Sequence, residues 1–298
     1  MCESLWRGLL LVKLFSISVL VLVLCSSTGA AISAPDGKIS RQYTIKRATD
    51  YVDAYNRHDI RGVLATLDFS DPTFFYSDCD YAFGEGVKSY SKAEVTAWLR
   101  ARFAEGERFS RATVFNHNPS SNDVAGFNGV RVSDIVRAHG LSRLDAGNKM
   151  VINNNGRFQR SEAVNPSCYD TRLRAGASAT KTRVMATVFF DAYRAHLVSR
   201  VLQALDATVV VRDCDYQYHR TVVVRGHARV ARWLRAHFAL GDRLTLLGPA
   251  RVTSSTALLT LRLSDRFLSR PRVLQVRMSA DHASGLLSEV DMASASCR

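Results

Sequence analysis

The chain has 298 residues, of which 47% are hydrophobic and 22% are charged. This balance excludes a disordered chain, and the length exceeds the usual size of a single domain. The formal net charge of +13 is carried mostly by arginines spread along the sequence without a dense basic run.

The first 34 residues have the order of a secretory signal peptide. Arg7 and Lys13 precede an apolar run over 14–25, and small residues follow it. Because this run is short for a membrane span, a cleaved signal over 1–34 is the expectation, with an uncleaved anchor as the alternative. We therefore expect the mature protein to be secreted or held on the extracytoplasmic surface.

Helices are predicted first after the signal, and strands follow. Apolar spacing over 45–55 predicts a helix, and Asp59 is placed to cap a second, short helix. The aromatic segment 73–81 predicts a strand pair or one bent strand, and the capping box Ser91-Lys-Ala-Glu94 begins a third helix. Short alternating runs between 109 and 164, separated by turn clusters, predict a meander of strands.

The second half of the chain repeats the first. Segment 98–108 recurs at 233–243 with eight of eleven positions identical, and Asp-Cys-Asp-Tyr at 78–81 recurs at 213–216 with the same offset of 135. Two rare motifs in one register indicate a duplication. The predicted organisation is a first domain over 41–168, a linker over 169–183 and a second domain over 184–297.

Cleavage of the signal would leave four cysteines in an oxidising compartment, namely Cys79, Cys168, Cys214 and Cys297. Each copy carries one cysteine early and one at its end. The symmetry of the repeat favours pairing Cys79 with Cys168 and Cys214 with Cys297, rather than across the copies. Loops of this size stabilise each copy by about 4 kcal/mol in the entropic description of disulfides.

The order of helix, helix, strand, helix and strand meander resembles the nuclear-transport-factor-2-like superfamily, as do the Asp59-Ile60 break and Gly156-Arg-Phe-Gln before the last strand. That superfamily includes SnoaL-type cyclases and ketosteroid isomerases. The resemblance implies an α+β fold of two tandem cone-shaped domains, each a curved, mostly antiparallel sheet wrapped around three N-terminal helices. Each cone would open on an apolar cavity, and the two copies would pair as a pseudo-dimer.

The resemblance also implies candidate catalytic residues. In ketosteroid isomerases an aspartate on the first strand moves a proton, while a tyrosine of the first helix and a later acid polarise the substrate carbonyl. Asp78 matches the proton-moving position, Tyr51 the oxyanion donor, and Asn148 stands where the later acid is expected. Asp213 takes the aspartate position in copy two, but Phe189 replaces the tyrosine, so copy two is catalytically silent by this test.

A structural role competes with catalysis for the repeated motif. Asp78 and Asp80 share one face of a strand while Cys79 points to the other, and both copies keep this arrangement. Tyr55 and Tyr193 occupy the same point of the first helix in the two copies and, with Asp213, are candidate binding residues.

Function is therefore expected to be non-enzymatic binding of a small apolar ligand, or a scaffold role. The alternative is an isomerase or cyclase that uses Asp78 and Tyr51 of copy one. No metal-ligand spacing or phosphate loop is present, so neither a metal nor a cofactor is expected. The basic charge is compatible with an anionic surface or wall polymer as partner, whereas predicted export argues against nucleic acid.

Overall fold

A computed structural model describes residues 39–116, 123–163, 178–215, 218, 220–265, 268, 270–293 and 297. The predicted signal at 1–34 and most of the predicted linker lie outside these residues. Residues 40–298 form one unit. No helix in the described part of the chain is long and apolar enough to cross a membrane.

The first half contains four helices and one sheet in the described residues. The elements are α1 Arg41–Asn56, α2 Ile60–Thr66, β1 Phe75–Asp80, β2 Glu85–Ser89, α3 Lys92–Ala104, β3 Arg108–Asn116, β4 Val124–Val132, α4 Asp134–Ala138, β5 Leu144–Ile152 and β6 Phe158–Ala163. The sheet order is β2-β1-β6-β5-β4-β3. β1 pairs parallel with β6, and the other neighbours pair antiparallel.

The second half repeats this plan. Its elements are α5 Ala179–Arg194, α6 Val198–Gln203, β7 Leu205–Asp215, β8 Arg220–Arg225, α7 His227–Leu240, β9 Arg243–Leu246, β10 Arg251–Val252, β11 Thr256–Ser264, β12 Arg272–Ala280 and β13 Leu287–Asp291. The sheet order is β10-β11-β12-β13-β7-β8, with β9 also pairing with β11. The two halves therefore share one topology, and the predicted α+β fold with two mostly antiparallel sheets is confirmed.

Local signals in the sequence begin the helices where predicted. The Asp59 carboxylate accepts the Gly62 amide at the start of α2, and Ser91 and Glu94 form the complete capping box of α3. The structure adds the hairpin strand β2 and the short helix α4, which the sequence analysis did not predict. Helix α5 begins at Ala179, inside the segment predicted as linker.

The core of each half lies between its first helix and its sheet. In α1, Ala48, Tyr51 and Tyr55 are buried as the apolar spacing predicts, and the helix packs on β3 and β4. In β11 every second residue, from Ala257 to Leu263, is buried because alternate side chains point to one face of a strand. The halves contact each other where α5 packs against α3 and α4, and where Arg200 of α6 bonds to Asp80 and Glu105.

Candidate functional site

The second half contains a cavity of about 810 Å³ that is open to solvent on one side. Much of its wall is apolar and includes Leu240, Leu263 and Met292. Asp213 and His237 form a polar part of the same wall. A mainly apolar cavity of this size with a few polar groups at one point is typical of a small-molecule site.

His237 lies between two aspartates in this wall. It projects from α7, and its Nε2 lies 3.1 Å from Oδ2 of Asp213, on β7. Its Nδ1 lies 2.6 Å from Oδ2 of Asp242, just beyond the end of α7. Burial lowers the pKa of His237, but the hydrogen bonds and charges of both carboxylates outweigh burial and raise the pKa to about 9. At neutral pH the imidazole is therefore a cation that donates from both ring nitrogens.

Two neutral donors hold the aspartates in place. The Trp233 indole donates to Oδ2 of Asp213 at 3.0 Å, and the Tyr193 hydroxyl donates to Oδ2 of Asp242 at 3.1 Å. Burial raises the pKa of Tyr193 well above its usual value, so its hydroxyl keeps the proton. Gly241 has a φ of 77°, the left-handed conformation that ends a helix. This turn carries Asp242 back toward the last turn of α7.

The first half contains the same arrangement, in which an indole and a tyrosine each donate to a buried acid. The Trp98 indole donates to Asp78 at 3.1 Å, and the Tyr55 hydroxyl donates to Glu107. Each of these four residues lies at the repeat position of its counterpart in the second half. Arg102 takes the place of His237 and is fully buried. The candidate residues Tyr55 and Tyr193 thus each hold a buried carboxylate rather than project freely into a cavity.

Arg131 makes the main difference between the halves. In the first sheet Arg131 pairs with Phe109, and in the second Leu263 pairs with Leu244, the repeat counterpart of Phe109. Leu263 is therefore the structural counterpart of Arg131. The Arg131 guanidinium is 2% exposed and lies 2.7 Å from Asp78. A buried arginine therefore stands in the first half at the point where a leucine borders the cavity of the second.

The candidate catalytic residues of the first half are all buried, but each has its own partner. Asp78 bonds to Arg131, while the Tyr51 hydroxyl lies 3.0 Å from the hydroxyl of Tyr76. Asn148 accepts a hydrogen bond from Ser161 at 3.3 Å. The structure brings Asp78 together with Arg131, which the sequence analysis missed. The catalytic roles of Asp78, Tyr51 and Asn148 stay predictions.

Arg131 and His237 were missed for different reasons. Val132-Ser133-Asp134 resembles Leu263-Ser264-Asp265 in sequence, which sets Val132 against Leu263, one residue out of the observed register, and hides Arg131. His237 stands in the repeated segment where the first copy has Arg102. This replacement of an arginine by a histidine was the sequence signal that could have identified His237 as a candidate site residue.

The predicted disulfide of the second half is confirmed. Cys214 is bonded to Cys297 across 83 residues, with their Cα atoms 5.7 Å apart, and Cys214 borders the cavity. Cys79 is also disulfide-bonded, whereas Cys168 lies outside the described residues.

In the described part of the chain, no group of three His, Cys, Asp or Glu side chains is placed to hold a metal ion.

No protein-family model and no curated protein matches the chain. Solved structures do match. A candidate polyketide cyclase from Sinorhizobium meliloti has 19% identity and a TM-score of 0.31, covering 36% of this chain and 91% of its own. Another from Xanthomonas campestris pv. campestris has 17% identity and a TM-score of 0.34, covering 45% and 98%. A candidate ketosteroid isomerase from Kribbella flavida has 18% identity and a TM-score of 0.31, covering 37% and 74%. At these identities and TM-scores, no property of these proteins is carried over to this chain.

Proposed function

We propose that the protein binds a small, mainly apolar molecule in the cavity of its second half. The observation that carries this proposal is the 810 Å³ cavity with an apolar wall and a rigid polar cluster. Burial of apolar ligand surface supplies the affinity, at about 25 cal/mol per Å² before the costs of association.

The charges of the wall select the kind of ligand. Four aspartates, Asp213, Asp215, Asp242 and Asp265, line the cavity against two cations, Arg272 and protonated His237. This excess of negative charge repels anions, so an anionic ligand is not expected at this site. Both ring nitrogens of His237 already donate to carboxylates, which fixes the wall and favours binding over proton transfer.

Filling the cavity tests this proposal. Leu263→Phe enlarges a wall residue, and Val273→Phe makes the same kind of gain on a side chain that is 58% exposed. We expect small molecules that co-purify with the wild-type chain, and titrated 2-naphthol, to bind the Val273→Phe control but not Leu263→Phe. Native mass spectrometry and calorimetry give the two readouts. Equal binding of 2-naphthol by both variants would exclude this cavity as the site.

Isomerisation or cyclisation by proton transfer is the second candidate function. It is favoured by the position of Asp213 beside an imidazolium whose pKa is about 9, a combination that can move a proton to and from a substrate. A β,γ-unsaturated ketone would show the activity as the absorbance of its conjugated product. Loss of turnover in Asp213→Asn would place it in the second half, and loss in Asp78→Asn alone would place it in the first. Turnover no faster than in buffer would contradict this candidate.

We also propose that the protein acts outside the cytoplasm. The Cys214–Cys297 disulfide supports this location, as does the signal pattern of residues 1–34. N-terminal sequencing of the exported protein is expected to begin after the small residues near position 34. An intact Met1 on the mature chain would favour the anchor instead.

A further inference from the structure

A second cleft, of about 780 Å³, lies between the two halves of residues 40–298. Arg100 of α3 and Arg235 of α7 both line it. The two arginines occupy the same position of the repeated Trp-Leu-Arg-Ala segment, 135 residues apart, and both are exposed. The duplication thus brings one arginine from each half to a shared surface.

The charge of this cleft is positive. Lys88 of β2 adds a third exposed cation, and among the described residues neither Arg100 nor Arg235 forms an ion pair. Two acids also line the cleft. Asp80 is paired with the buried Arg200, and Glu94 accepts the amides that begin α3, which lowers its pKa. The three exposed cations are therefore available to a ligand.

The remaining wall is partly apolar, with Ser89, His196, Ser199 and Gln203 as its polar members. Leu197, Val198 and Leu202, in and just before α6, face the cleft together with Ala97 of α3. An arginine presents several N–H donors in a plane that fits the oxygens of a carboxylate, sulfate or phosphate. Cations beside an apolar wall suit a molecule that has both an acidic group and an apolar body.

We propose that this cleft binds a small amphipathic organic anion, with its acidic group at Arg100 and Arg235 and its apolar part against α6. The site is separate from the cavity of the second half, whose wall carries the opposite charge. It does not depend on the function proposed for that cavity.

The test removes the paired arginines and compares them with a matched pair. Arg100→Gln with Arg235→Gln removes two charges from the cleft. Arg108→Gln with Arg243→Gln removes two exposed charges that are also 135 residues apart but do not line it. Calorimetric titration with naphthalene-2-sulfonate is expected to show affinity at least about tenfold weaker in the cleft pair, and unchanged affinity in the control pair.

Three results would overturn the proposal. The first is equal weakening in both pairs, which would mean a general effect of net charge. The second is unchanged affinity in the cleft pair. The third is that the cleft pair alone loses binding to phosphatidylglycerol vesicles while its affinity for naphthalene-2-sulfonate is unchanged. That result would assign the arginines to a lipid surface. Titration with 2-naphthol reports on the other cavity and is expected to be the same in all variants.

Discussion

Replacing Arg200 with methionine should weaken the contact between the two halves. Arg200 projects from α6 of the second half and is 4% exposed. Its guanidinium bonds both oxygens of Asp80 at 2.5 and 3.0 Å and Oε1 of Glu105 at 2.8 Å, and both of these acids belong to the first half. Methionine keeps much of the apolar volume and removes the charge.

The structure gives the size of the expected effect. Without Arg200, Asp80 and Glu105 share Arg102, which lies 3.6 Å from Asp80 and 2.8 Å from Glu105. Breaking a buried ion pair costs about 3 to 5 kcal/mol. Burial already raises the pKa of Glu105, and removal of the Arg200 charge raises it further, so uptake of a proton by Glu105 offsets part of the cost. We therefore expect a loss of about 3 kcal/mol at neutral pH, at the lower end of this range.

Urea unfolding and thermal melting measure this loss. A fall of about 6 °C in the melting temperature is expected for a folded unit of this size. Because Glu105 can be protonated, the difference from wild type should be smaller at pH 5 than at pH 8. The control is Arg160→Met, which breaks the exposed ion pair with Glu162 and should cost less than about 1 kcal/mol. A loss in Arg200→Met no greater than in this control would refute the reasoning.

Two further predictions concern the second half. The pKa of His237 is about 9 in the folded chain against 6.5 for the free side chain, so its stabilisation is complete below pH 6.5 and is lost as the pH rises through 9. His237→Gln should remove this pH dependence, which amounts to about 3 kcal/mol in the free energy of unfolding. Urea unfolding of wild type and variant at pH 6 and pH 9.5 would measure it. If the free energy of unfolding of the variant changed with pH as much as that of wild type, the assignment to His237 would be contradicted. Replacing Cys214 and Cys297 together with serine should lower the free energy of unfolding by about 4 kcal/mol, because the disulfide closes 83 residues of chain. Calorimetry of the double variant would measure it, and a loss below about 1 kcal/mol would show that the unfolded chain gains little freedom.

The two halves share the same hydrogen bonds between aromatic side chains and acids, but different side chains surround these bonds. In both halves an indole holds an aspartate of the first strand, and a tyrosine of the first helix holds a second acid. Arg131 completes the first half with buried ion pairs, while His237 and Leu263 leave the second half with a cavity. The second copy, in which Phe189 replaces the tyrosine of the isomerase pattern, thus has a cavity lined by Asp213 and His237.

The sequence by itself determined what depends on neighbours along the chain. The Ser91 and Glu94 capping box, the apolar spacing of α1 and the repeated motifs all act over short distances, and they predicted the helices, the duplication and the Cys214–Cys297 pair. These signals also predicted the fold class, because the order of helices and strands along the chain can be read from the sequence.

Only the tertiary structure decided which side chains meet. Arg131 and Leu263 correspond because of strand register, and a shift of one residue in an alignment turns a strand's side chains to the opposite face. Asp213 meets His237, and Arg200 meets Asp80 across 120 residues, because separate elements are packed together. No local pattern encodes such contacts, since their energy depends on burial and on partners that the folded chain alone brings within reach.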